Sequence, residues 1–158
     1  MDIHQPAPLD DLTRVALDLA PCSTLLVAPA AHPLYERLAG QTELIHRKPG
    51  ELLDDWQDMP RQRLALLIDS MDSLPPRQME ILIARLRDQL CETLYCVADS
   101  LTWPAERMLA LGLRPLGHYP QAGLPALYHF DLYDYKRTPE WLNARHWAHP
   151  ELWDKFRW

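Results

Sequence analysis

The chain has 158 residues, of which 47% are hydrophobic and 24% charged, with a formal net charge of -6. This composition supplies one core of ordinary domain size and excludes disorder over the whole chain. The negative balance argues against a general electrostatic hold on nucleic acid, and no apolar stretch approaches the roughly 18 residues of a membrane span.

The first ten residues carry Asp2 and Asp10 and no basic region, so no signal peptide is expected. Residues 8–20 are predicted helical: Leu9, Leu12, Val15, Ala16 and Leu19 recur at three- and four-residue spacing, and Pro21 ends the run. Residues 24–28 form a short apolar run, predicted as a buried strand. Residues 32–39 follow as a short helix closed by Gly40, and residues 42–46 as a second strand. Arg47-Lys48-Pro49-Gly50 is taken as a turn before one or two helical turns over residues 51–57.

Residues 63–69 are the clearest strand. They are apolar on both faces, as a central parallel strand requires. Asp72 is the expected N-cap ahead of Pro75-Pro76, which open a long helix through Leu90. Its apolar face carries Met79, Leu82, Ile83, Leu86 and Leu90. A strand over residues 93–98 and a helix over residues 104–111, capped by Gly112, come next. Residues 113–119 and 126–133 are the last two strands. The second alternates polar and apolar positions and is expected antiparallel at a sheet edge.

Strand and helix alternate through most of the chain. That argues an α/β, Rossmann-like, three-layer fold: about six strands, mostly parallel, with an antiparallel edge strand. One domain is expected, comprising an N-terminal helix (1–21), a sheet domain (22–134) and a helical tail packed on it (135–158). The tail holds Trp141, Trp147, Trp153 and Trp158, four of the six tryptophans, and a net charge of +2.

The element order across residues 22–134 resembles class I S-adenosylmethionine-dependent methyltransferases. It rests on the strand ending in Asp69, the segment Met71-Asp72-Ser73-Leu74-Pro75-Pro76, the long helix, and Gly112-Leu113-Arg114 before a final pair with one antiparallel member. That resemblance implies a cofactor crevice after the first strand, lined by a glycine-rich loop, and an acid after the second strand for the ribose. Here the first place is Ala28-Pro29-Ala30-Ala31-His32-Pro33 and the second His46-Arg47-Lys48. Prolines remove amide donors, and basic groups do not accept from hydroxyls as a carboxylate does. The cofactor motifs are degenerate, so no cofactor is predicted, with S-adenosylmethionine as the alternative. The chain, with its Trp141-Leu142-Asn143-Ala144-Arg145 and Trp147-to-Trp153 ending, also resembles an uncharacterised family of short proteobacterial proteins.

The candidate chemistry gathers where strands end. Asp69 and Asp99 follow the two strongest strands, where open α/β sheets bind ligands. The competing assignment is turn capping. Asp69 is the weak catalytic candidate; His32, Asp69 and Asp99 are the cofactor-binding candidates. Two histidines and two aspartates (His32, His46, Asp69, Asp99) would suit a divalent ion, but they lack ligand spacing, so no metal site is assigned. Cys22, Cys91 and Cys96 form no CxxC, and a reduced cytoplasmic setting is expected. Cys96, inside a strand, is expected to be an inert thiol. His118 and His129, on the last two strands, are expected as a surface pair.

Trp141, Arg145, Trp147, Trp153 and Trp158 are the candidate interaction residues. Three roles stand open: cover for the core, a protein or self-association interface, or stacking on single-stranded nucleic acid. The expectation is a non-catalytic, methyltransferase-like scaffold acting as a binding or protein-interaction module. The alternatives are an atypical methyltransferase using S-adenosylmethionine, or a nucleic-acid or nucleotide binder through the basic aromatic tail. No membrane association is expected.

Overall fold

The computed structural model describes residues 8–19, 22–116 and 125–135. His118 and the tail residues Trp141, Arg145, Trp147, Trp153 and Trp158 lie outside them, so the expected helical tail falls outside the described residues.

Helix α1 (Pro8–Leu19) precedes strand β1 (Ser23–Val27), helix α2 (Pro33–Leu38) and strand β2 (Glu43–Arg47). Helix α3 (Pro49–Asp54) leads to β3 (Gln62–Leu67) and α4 (Pro76–Arg85). Then come β4 (Cys91–Asp99), α5 (Ala105–Ala110), β5 (Arg114–Pro115), β6 (Pro125–Asp131) and α6 (Leu132–Tyr135). The six strands form one sheet in the order β2-β1-β3-β4-β6-β5. Strands β2, β1, β3 and β4 are parallel, and β6 is antiparallel to both of its neighbours.

Both faces of the sheet are covered, and the strand sequences show why. Along β3 and just beyond it, Ala65 and Leu67 join one core with Leu82, Ile83 and Leu86, while Leu64, Leu66 and Ile68 join the other. All five of these consecutive residues are buried. Each fully buried leucine contributes about 1.5–3 kcal/mol relative to exposure, so this strand fixes the centre of the sheet. The first face takes Leu52 of α3, Met79 of α4 and Met108 of α5. The second takes Leu12 and Ala16 of α1 with Leu34 and Leu38 of α2.

Several expectations need correction. The antiparallel strand is not the edge: β6 lies between β4 and β5, and β5 and β2 are the outer strands. Its alternation does not expose a face. Leu127 is buried on one side, Tyr128 and Phe130 on the other, and His129 stacks on Tyr95 with ring centroids 6.0 Å apart. The strand also stops early. The Asp131 carboxylate accepts the Tyr133 N–H at 2.8 Å, and the chain turns helical from Leu132.

The long helix loses α geometry before its end: residues Leu86–Leu90 form a π-helical turn that runs directly into β4. Arg87 ties this turn to the next layer, donating to the Leu111 carbonyl at 2.7 Å. Helix α3 starts at Pro49, inside the stretch assigned to a turn. Proline suits the first helical position, and the Glu51 carboxylate accepts the Lys48 N–H at 3.1 Å. Asp72 does not cap α4, whose N-cap position is Pro75, with no side-chain cap.

Candidate functional site

The chain leaves β1 toward β2 on one side and returns to β3 on the other. The carboxyl ends of β1 and β3 therefore mark the switch point where open α/β sheets place ligands. Here hydrogen bonds continue from the strands into the loops that follow them. The Val27 carbonyl accepts from the Ile68 N–H at 3.0 Å and from the Ser70 hydroxyl at 3.1 Å. The Ala28 N–H donates to the Arg47 carbonyl at 3.2 Å, drawing in the end of β2.

His32 occupies the mouth of this crevice. Its backbone is extended (φ -116°, ψ 139°), and its Nδ1 accepts from the Leu34 N–H at 3.1 Å, making it the N-cap of α2. An Nδ1 that accepts leaves the proton of the neutral ring on Nε2. That Nε2 faces Asp69 Oδ2 at 3.5 Å, with the His32 side chain 10% exposed and that of Asp69 70% exposed. The Nδ1 is thus taken by a hydrogen bond, and the Nε2 lies near an exposed carboxylate. A general base or metal ligand needs a lone pair to offer, and His32 has spent its own on a backbone amide.

Asp69 sits just past β3 with φ 51°, and among the described residues it is the one non-glycine with positive φ. The left-handed region costs most L-residues about 1–2 kcal/mol, and aspartate tolerates it better than most. Such a conformation at a switch point turns the carboxylate across the crevice toward His32.

Of the other candidates, Asp99 is engaged in its own turn. Its carboxylate accepts the Leu101 N–H at 2.9 Å, and its carbonyl accepts the Trp103 N–H at 2.8 Å. The capping assignment therefore describes Asp99. His46 points its Nε2 at the Ala28 carbonyl, 3.1 Å away, and meets the Tyr35 ring edge-to-face at 6.4 Å. His32 and His46 share the lining of one cleft, with Asp69 against His32. Among the described residues, no group of three or more histidines, cysteines and carboxylates is arranged to hold a metal ion.

The glycine-rich loop and the acid that the methyltransferase resemblance implies have no counterparts in these segments. Pro29 and Pro33 lack amide donors, and the His32 ring already takes the Leu34 amide at the start of α2. At the end of β2, the Arg47 guanidinium turns back on the His46 carbonyl at 2.9 Å, and no carboxylate stands in the ribose position.

The buried thiols are equally unsuited to chemistry. Burial pushes the Cys91 thiol up to about 12, and raises Cys96 as well. Neither supplies thiolate near neutral pH. Of the four residues that the sequence groups at this edge, the structure brings His32 to both Asp69 and His46 and leaves Asp99 in its own turn. The reading missed the capping role of His32, for which the signal is His32-Pro33, an N-cap position followed by proline at the first helical position.

The family model described as "Family of unknown function (DUF6231)" matches residues 6–158. No curated protein and no solved structure matches the chain.

Proposed function

This chain belongs to the DUF6231 family, and we propose that it is a methyltransferase-like scaffold working as a binding or protein-interaction module without standard cofactor binding. The observation that carries this reading is the His32 side chain at the switch point. His32 caps α2 with one nitrogen and faces Asp69 with the other, where a glycine-rich loop would have to admit a cofactor. The methyltransferase-like part of the reading is supported by the sheet, in which antiparallel β6 is inserted between β4 and β5. A reducing, cytoplasmic setting agrees with unpaired Cys22, Cys91 and Cys96. No helix among the described residues is long and apolar enough to cross a membrane.

The test is calorimetric titration of the purified protein with S-adenosylmethionine and its demethylated product. No heat of binding up to millimolar ligand is the expected result. One-site binding at micromolar Kd, about -8 kcal/mol, would overturn the reading in favour of an atypical methyltransferase.

A further inference from the structure

Beside the switch point, Ala31, His32, Tyr35, Glu36 and His46 line a cleft of about 270 Å³. Sites for small molecules and cofactors run from about 300 to 1,000 Å³, so this cleft suits one head group better than a whole nucleotide. What it binds follows from the hydrogen-bonding capacity its walls have left.

His32 accepts the Leu34 amide on Nδ1 and turns Nε2 to Asp69. His46 Nε2 lies 3.1 Å from the Ala28 carbonyl. A carbonyl only accepts, so that nitrogen carries the proton. With one proton on each ring, both N–H groups are turned to the protein's own acceptors. The side-chain capacity left in the lining is the His46 Nδ1 lone pair, the Glu36 carboxylate and the Tyr35 phenol, beside the faces of two aromatic rings. Tyr35 is 40% exposed, so its ring is accessible.

Acceptors beside aromatic faces are the chemistry that holds a planar cation. A carboxylate takes its N–H groups, and a ring stacks against its plane. An anion, by contrast, would meet the Glu36 carboxylate with no lysine or arginine beside it in the lining. We infer that the cleft between α2 and β2 binds a guanidinium group, with Glu36 as its counter-charge and Tyr35 as its stacking face. This deepens the interaction-module reading and rests on it: the natural source is an arginine side chain of a protein partner, and a free small guanidine is the other.

The experiment follows the ring signals of Tyr35 and His46 by NMR during titration of the full chain. The probes are methylguanidinium, an arginine blocked at both ends, and inorganic phosphate. Saturable shifts with both guanidinium probes and none with phosphate are expected. Tighter binding of the blocked arginine assigns the site to a protein side chain; equal binding assigns it to the free head group. Glu36→Gln, which keeps shape and removes charge, should weaken binding by about five- to tenfold. Tyr35→Leu should weaken it as well, with the rest of the spectrum reporting that both variants are folded. Shifts with phosphate instead, no saturation with either guanidinium probe, or an unchanged affinity in Glu36→Gln would each overturn the site. S-adenosylmethionine calorimetry tests the scaffold reading separately, so failure of one is distinguishable from failure of the other.

Discussion

His32 Nε2 faces Asp69 Oδ2 at 3.5 Å, joining the loop after β1 to the loop after β3, and Asp69 makes this contact from φ 51°. The carboxylate is largely exposed, so solvent screens the pair and it adds little to stability. The backbone matters more. Asp69→Ala should lower stability by about 1 kcal/mol, because alanine lacks aspartate's tolerance of the left-handed region. Asp69→Gly should match or exceed the parent. Urea denaturation of the two variants checks this; equal stabilities would mean that the backbone is not held at that angle in solution.

Removing the ring at position 32 tests the cap. His32→Ala leaves the Leu34 N–H without its side-chain acceptor and should cost about 0.5–2 kcal/mol. His32→Asn retains a capping oxygen and should recover most of the loss. If asparagine is no better than alanine, the ring acts by packing and not by capping.

Two glycines separate backbone strain from crowding. Gly40 has φ +87° with nothing near an added Cβ, so Gly40→Ala should lose about 1 kcal/mol from conformation alone. Gly112 has φ +82°, and its added Cβ would stand 3.0 Å from Arg87 Nη1, the atom that donates to Leu111. Gly112→Ala should therefore lose more than Gly40→Ala. The thermal midpoints of the two variants rank them; the reverse order would show that the Arg87 side chain moves aside freely.

Cys22 is exposed, and Cys91 and Cys96 are buried. One thiol per native chain should react quickly with a chromogenic disulfide at pH 8, and three after denaturation. Burial raises both inner thiols, Cys91 from an ordinary 9.0 to about 12. The protonated forms are favoured in the folded state, so their contribution is intact below about pH 9. As pH rises, the unfolded chain ionises first, and stability falls by about 1.4 kcal/mol per pH unit for each such group. Denaturation midpoints measured between pH 8 and pH 10 in Cys91→Ala and in the parent check the slope, which should be shallower in the variant.

Much of the element order was legible because local signals and burial agreed. The apolar run of β3, the stripe of α1 and Gly40 after α2 each placed an element close to its observed bounds, and Pro75-Pro76 placed the start of α4. The reading failed where tertiary partners override a local pattern. The polar positions of β6 suggested an edge, yet β5 covers that side and Tyr95 stacks on His129. Asp72 had the composition of an N-cap, but the turn is organised by Ser70, whose hydroxyl lies 2.8 Å from the Ile68 carbonyl and whose own carbonyl accepts from Ser73.

By itself the sequence determined the alternation of strands and helices, the double-faced burial of the central strand, and the lack of glycine after β1. These are properties of neighbours along the chain, set by periodicity, side-chain volume and backbone freedom. Only the tertiary structure decided that β6 enters between β4 and β5, that His32 meets Asp69, and that the N–H groups of His32 and His46 face the protein. Those facts depend on residues from different strands and loops being brought together by burial on both faces of the sheet, which no local pattern encodes.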